Sequence, residues 1–211
     1  MKKTRGFLLA AGVSFAMVFT LSCSGDGSDG GNSVTYKGQK YKTPKISEQV
    51  WFAENLNYAG DDNSIGKCYD NDPVNCAKYG RLYTWSEAIA VCTDGWRLPS
   101  KADWDVLINY AGGSHTAGTK LKATSGWENK GNGTDYYGFS ALPGGGGNSR
   151  GNFGEAGFIG IWWGASEDEY DRDDAYILQM FYFGEDSEVG EYTEWGYSDK
   201  SNLFSVRCLK D

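Results

Sequence analysis

The sequence holds a single histidine, His115, and no C-x-x-C pair among its five cysteines. Zinc sites draw on Cys and His at close spacing, so this shortage argues against zinc. A Ser-His-Asp nucleophile would have to recruit His115, which sits in Gly112-Gly113-Ser114-His115-Thr116-Ala117-Gly118 and reads as an incidental loop residue. The glycine run Gly144 to Gly147 lacks a following Lys-Ser/Thr. It is therefore a flexible turn or aromatic-packing loop and not a phosphate cradle. No internal repeat is visible, and no second apolar stretch is long enough to span a bilayer. Thirty glycines argue against long regular helices. Aromatics at 15% point to a domain of short elements packed by rings. No cofactor is implied.

Basic side chains are also scarce once the N-terminus is set aside. Met1-Lys2-Lys3-Thr4-Arg5 is a basic start, followed by an apolar run from Gly6 to Leu21 without an acidic residue. The run is roughly 16 residues, short for a span. It reads as a secretory signal, residues 1–22, with the small residue Ser22 before Cys23. Residues 23–33 are rich in Ser, Gly and Asp and read as a flexible tether. Residues 34–211, about 178 in number, suffice for one domain with a real core. Beyond the signal, 17 Lys and Arg face 28 Asp and Glu, a formal net charge of −11. That excludes nucleic acid, which needs a basic face, and argues against direct adsorption to anionic lipid.

Cys68, Cys76, Cys92 and Cys208 remain, an even number in an exported chain, which reads as two disulfides with three possible connectivities. Cys68 and Cys76 flank a stretch of turn formers, where a local bridge is geometrically easy. By elimination Cys92 then pairs with Cys208, closing a loop worth roughly 4–5 kcal/mol in the chain-entropy model. Two helices are signalled. Thr84 with Glu87 forms a capping box, and Trp85, Ala88, Ile89 and Cys92 make one apolar stripe. Ser100 with Asp103 starts the second, with Trp104, Leu107, Ile108 and Ala111 inward and Gly112-Gly113 as the stop. Val34 to Ile46 reads as a hairpin turning at Lys37-Gly38-Gln39-Lys40. Further strands are expected at Val50–Ala53, Tyr137–Leu142, Phe158–Trp163, Ala175–Phe183 and Leu203–Leu209. Helices early and strands late give an α+β class.

Thr20-Leu21-Ser22-Cys23 resembles the lipobox of bacterial lipoproteins, in which the cysteine is acylated and becomes the mature N-terminus. The resemblance implies lipidation at Cys23, with the lipid as the contact to the membrane. Within the domain, Val50-Trp51-Phe52-Ala53-Glu54-Asn55-Leu56-Asn57-Tyr58, Tyr79-Gly80-Arg81-Leu82-Tyr83-Thr84-Trp85 and Gly95-Trp96-Arg97-Leu98-Pro99-Ser100 occur in order. Tyr137-Gly138-Phe139-Ser140-Ala141-Leu142-Pro143-Gly144-Gly145 and Ser205-Val206-Arg207-Cys208 follow them. Together these segments resemble the FISUMP family, the Fibrobacter succinogenes major paralogous domain, across nearly all of Tyr41 to Asp211. The resemblance implies a secreted or lipid-anchored bacterial surface protein, at the outer membrane or cell surface. Trp85 to Cys92 followed by Trp96 to Ser100 is similar to the opening of C-type lectin-like domains, whose bridge from first helix to last strand fits Cys92–Cys208. The expected fold is thus C-type lectin-like, with two short helices early and a twisted antiparallel sheet with long Gly-rich loops. Arg97-Leu98-Pro99, Ser201-Asn202-Leu203 and Val206-Arg207-Cys208 also resemble the formylglycine-generating sulfatase-modifying family. That family's separate catalytic cysteine pair has no counterpart here, so its activity is not carried over.

The expected role is binding, to neutral polysaccharide or another surface component, without catalysis. Alternatives are an extracellular glycan-active enzyme and a structural envelope protein. Sugar rings stack on aromatics, and Trp127, Trp162, Trp163 and Trp195 are the candidate ligand-binding residues, with Tyr136 and Tyr197 beside them. Trp162 and Trp163 are adjacent in a strand and point to opposite faces, so one should be core and the other exposed or covered by a loop. Glu167 to Asp174 offers oxygens for calcium but lacks the E-P-N and W-N-D triplets of calcium-binding C-type lectins, and a solvated loop is the plainer reading. An exposed aromatic strip would favour glycan binding. A cleft with two facing carboxylates, one buried, would favour an enzyme.

Overall fold

A computed structural model of the chain describes residues 1, 32–182 and 191–211. The signal segment, Cys23 and the tether up to residue 31 lie outside the described residues. The domain opens with the expected hairpin. β1 (Ser33–Tyr36) pairs antiparallel with β2 (Gln39–Lys42) around Lys37-Gly38, both at positive φ. A second small hairpin joins β3 (Lys45–Ile46) to β4 (Gln49–Val50). Trp51 then bridges to Leu209, tying the start of the domain to its end.

Among the described residues there are four α-helices where two were expected. α1 (Pro73–Tyr79) lies in the stretch read as a turn. Asp72 caps it by accepting from the Val74 backbone N–H, and Pro73 occupies the first turn, where it lacks no bond. After β5 (Leu82–Tyr83), α2 (Trp85–Val91) starts at the Thr84–Glu87 capping box. Its buried residues are Ala88 and Val91, with Cys92 following. Ile89, expected on the inner stripe, is exposed. β6 (Trp96–Arg97) leads to α3 (Lys101–Tyr110), capped by Ser100 and Asp103, with Trp104, Leu107, Ile108 and Ala111 all buried. Gly112 and Gly113, at φ 111° and 86°, end α3 as expected, but α4 (Ser114–Leu121) begins at once. His115 is therefore an exposed helical residue, not a loop residue.

The remaining strands are β7 (Gly146–Gly147), β8 (Phe153–Gly154), β9 (Gly160–Glu167), β10 (Asp174–Tyr182), β11 (Glu191–Asp199), β12 (Phe204–Ser205) and β13 (Leu209–Lys210). The main sheet runs β11-β10-β9-β12-β5. It is antiparallel except where β12 lies parallel to β9 at Ser205 and Trp162. β13 pairs instead with β6. Tyr137–Leu142 is not a strand, apart from a single bridge between Ala141 and Lys122. Its carbonyls find another partner: the fully buried Arg207 guanidinium donates to Phe139 O and Ser140 O, and also to Phe52 O and Asn55 Oδ1. Both disulfides form as expected, Cys68–Cys76 and Cys92–Cys208.

The sheet is covered on both faces, and this decides the fate of its aromatics. One core cluster gathers Ile161, Trp163, Ala175, Ile177 and Phe204 with Phe52, Tyr83 and α2. The other gathers Trp162, Leu178 and Met180 with Trp104 and Leu107 of α3 and Ala117 and Leu121 of α4. The architecture is α+β.

Candidate functional site

Strand alternation puts Tyr176, Leu178 and Met180 of β10 on one face, opposite Tyr197, Trp195 and Thr193 of β11. Leu178 and Met180 are wholly buried there. Toward the other end the helical cover gives out. Tyr197 is 50% exposed, and Tyr176 and Trp195 are half-buried. The Tyr176 and Tyr197 rings lie 4.7 Å apart, and the Tyr197 hydroxyl donates to that of Tyr176 at 3.2 Å. Trp195 meets Tyr176 edge-on, at 5.9 Å and 88°. A register shift between Ala175 and Ile177 marks a bulge against β9, and such a bulge bends the strand and re-aims the side chain it carries.

The start of α3 is pinned beside these rings. Pro99 O accepts from Ala165 N–H at 2.8 Å, and Lys101 N–H donates to Ser166 Oγ at 3.1 Å. Lys101 Nζ therefore stands 4.9 Å from the Trp195 ring centroid and 5.8 Å from that of Tyr176. Asp105, one turn on, accepts from both Lys101 Nζ at 2.8 Å and Trp195 Nε1 at 2.9 Å. Trp195 is thus held rigid behind the tyrosines. The hydrogen bond with Tyr197, then burial and the Tyr197, Glu169 and Asp168 charges, push the Tyr176 phenol up to about 12. The Tyr176 hydroxyl stays neutral at ordinary pH and can donate or accept.

The acidic loop Glu167–Asp174 runs beside this platform. Asp168 Oδ1 accepts from Tyr170 N–H, Asp171 Oδ1 from Asp173 N–H, and Glu167 holds Lys200 Nζ at 2.7 Å. Three of the six carboxylates offered to calcium thus make turns and an ion pair. Among the described residues, no group of three His, Cys, Asp or Glu side chains is placed to hold a metal ion. Burial, together with Asp171, Asp199, Asp168 and Asp173, raises the Asp174 pKa, as a crowd of like charges should.

Of the four tryptophans singled out as candidates, three are core residues. Trp162 is wholly buried, with Nε1 donating to Asn55 Oδ1. Trp163 is wholly buried too, with Nε1 donating to Tyr83 O. Neither of the pair is exposed, because both sheet faces are covered. Trp127 is 5% exposed, donates to Ala141 O, and carries the buried Lys122 ammonium 4.5 Å from its ring centroid. Trp195 alone of the four joins an open surface. Tyr136 lies elsewhere, 73% exposed against Tyr137. Tyr176, Lys101 and Asp105 were not singled out by the sequence reading. The Lys101–Asp105 spacing of i, i+4 was a visible signal. The alternation of Trp195 and Tyr197 was another, had β11 been recognised as a strand.

No curated protein matches the chain, and neither does any solved structure. The family model of the Fibrobacter succinogenes major domain matches residues 45–210. That span takes in the main sheet, all four helices, both disulfides and the aromatic platform, and the chain belongs to the Fibrobacter succinogenes major domain family.

Proposed function

We propose that this chain is a non-catalytic surface receptor, held on the cell envelope by lipid at Cys23, that binds neutral polysaccharide through Tyr176, Trp195 and Tyr197. The observation that carries this reading is the half-exposed Tyr197 ring, backed by two more rings, on a sheet whose Trp162 and Trp163 are wholly buried. Contiguous aromatic surface left open to water marks an interaction site. Flat rings with hydroxyl tips match the apolar faces and hydroxyl rims of sugars. The acidic loop and the net charge of −11 beyond the signal repel polyanions and leave neutral chains as the preferred ligand.

Family membership points to a surface-associated domain and is consistent with envelope localisation. The fold is read as C-type lectin-like. In support, Cys92 at the end of α2 is joined to Cys208 beside the last strand, the bridge such domains carry. The non-catalytic reading rests on the nearby carboxylates. Asp105 is engaged by Lys101 and Trp195, and Glu167 by Lys200.

The test is retention of the full-length chain, solubilised in mild detergent, on a panel of insoluble neutral polysaccharides, with and without chelator. Tyr197→Ala removes an exposed ring and should leave the fold intact while lowering retention about tenfold, near the upper end of one base- or sugar-sized stacking contact. Trp162→Ala or Trp163→Ala would be the wrong probe, since emptying a buried Trp site costs about 3–5 kcal/mol of stability. Retention lost on chelation would replace the stacking site with a calcium site. No retention across the panel would favour the structural role.

A further inference from the structure

A second hollow lies on the sheet face opposite the aromatic platform. It is a groove of about 340 Å³ between the β7–β8 hairpin and β12, at the small end of the range for ligand clefts. Its floor is apolar. Gly146 and Gly147 have no side chain where the Phe204 and Phe153 rings lie. A Cβ on Gly146 would stand 2.6 Å from the Phe204 ring, and one on Gly147 would stand 2.9 Å from the Phe153 ring. The glycines let two rings lie against bare backbone, and Tyr69 supports Phe153 from outside at 5.5 Å.

The walls are amides. Asn148 Oδ1 accepts from Arg150 N–H and Asn152 N–H, which leaves its amide N–H groups as donors. Asn202 Nδ2 donates to Ser198 Oγ, which leaves its carbonyl oxygen as an acceptor. The Asn152 side chain has no hydrogen-bond partner among the described residues. No Lys or Arg lines this groove, and Glu155 is its one carboxylate. A neighbouring hollow of about 300 Å³ shares Asn148 with it and is lined as well by Lys67, Glu87, Ser149 and Ser201, so the groove lacks a cation only within its own walls.

We infer that this groove is a binding site for a short stretch of neutral carbohydrate. Amide donors and acceptors facing one space suit hydroxyls, which both donate and accept. The ring floor suits the apolar face of a pyranose. The lack of a cation gives an anionic ligand nothing to pair with. The site stands apart from the platform. Ile161 and Phe204 belong to the core cluster on one sheet face, and Trp195 packs against the cluster on the other. Two such sites on opposite faces serve different chain segments, and either can exist without the other.

The experiment is titration of the full-length chain in mild detergent with soluble maltose, cellobiose, xylobiose and N,N′-diacetylchitobiose, followed by saturation-transfer NMR and calorimetry. Digalacturonate serves as the anionic control. At least one neutral disaccharide is expected to bind, and the control to bind at least tenfold more weakly. Asn152→Ala should weaken binding about five- to tenfold with no change in melting temperature, because that amide supports nothing in the fold. Tyr197→Ala should leave disaccharide binding unchanged. Absence of binding by all four neutral probes would overturn the inference. So would equal binding of digalacturonate, or a loss that follows Tyr197→Ala and not Asn152→Ala. The part of polymer retention that Tyr197→Ala removes reports on the platform, and the part of disaccharide binding that Asn152→Ala removes reports on the groove, so the two sites fail separately.

Discussion

At the scale of single residues, polar side chains fix where the backbone can go. Arg207 is the extreme case, a guanidinium with no exposure and no carboxylate partner, bonded instead to three carbonyls and an amide oxygen. Burial lowers its pKa to about 9. Those acceptors belong to segments 52–55 and 139–140, so one side chain ties two loops to the C-terminal segment. Asp103 offers a pH test. The Arg97 guanidinium grips it with two bonds of 2.6 and 2.9 Å, and the Ser100 hydroxyl and N–H add two more. These hold the Asp103 carboxyl down at about 2 against burial. A carboxylate whose pKa is depressed by folding stabilises the fold above its unfolded value, about 3.9, and loses that contribution as pH falls toward 2. Thermal melts of the wild type should therefore drop steeply between pH 4 and pH 2. Asp103→Asn should melt lower at pH 7, by about 1–2 kcal/mol on the scale of a lost helix cap, and its curve should be flatter in that window. Parallel curves would show that Asp103 is not the titrating group.

At the scale of elements, the two disulfides do different work. Cys68–Cys76 closes a separation of 8 residues around α1, and Cys92–Cys208 one of 116, from the end of α2 to the C-terminal segment. In the chain-entropy model these are worth about 2–3 and about 4–5 kcal/mol. The double variant Cys92→Ala/Cys208→Ala should melt about 4–8 °C below Cys68→Ala/Cys76→Ala, at about 2–4 °C per kcal/mol for a domain this size. The reverse order in calorimetry would mean that local strain or packing outweighs loop closure. Elements with strong local chemistry could be read from the sequence: the first hairpin, the capped starts of α2 and α3, the strands β9 and β10, and both disulfides. α4 could not, because Gly118 and two threonines give it poor propensity and its burial of Ala117 and Leu121 depends on packing. β11 could not either, since its polar residues sit on an edge strand and its order comes from the ladder to β10. The platform was half legible. Trp195 and Tyr197 stood out as aromatics, but which tryptophans are covered depends on layers that assemble far apart in sequence. Nothing in Trp162-Trp163 itself tells that both faces of β9 are packed.

At the scale of the whole molecule, the proposed envelope location asks what would hold an acidic domain at a membrane. Among the described residues no helix is long and apolar enough to cross a bilayer. The charge of −11 beyond the signal opposes contact with anionic headgroups, whose surface potential is itself negative. Lipid on Cys23 is then the one attachment the proposal allows. Two or more acyl chains anchor stably where one chain binds only marginally. Among the described residues the first buried ring of the core is Tyr36, whose hydroxyl donates to Val91 O, and both disulfides lie further on. Cys23→Ala in the full-length chain should therefore leave the near-UV circular dichroism and the melting temperature of the domain unchanged. Produced in a bacterium that processes lipoproteins, the wild type should enter the detergent phase on cloud-point partitioning, with an intact mass raised by acyl chains. The variant should stay in the aqueous phase with no added mass. Equal partitioning of the two, or a wild-type mass without lipid, would remove the anchor from the proposal and leave the platform and groove as sites on an exported domain.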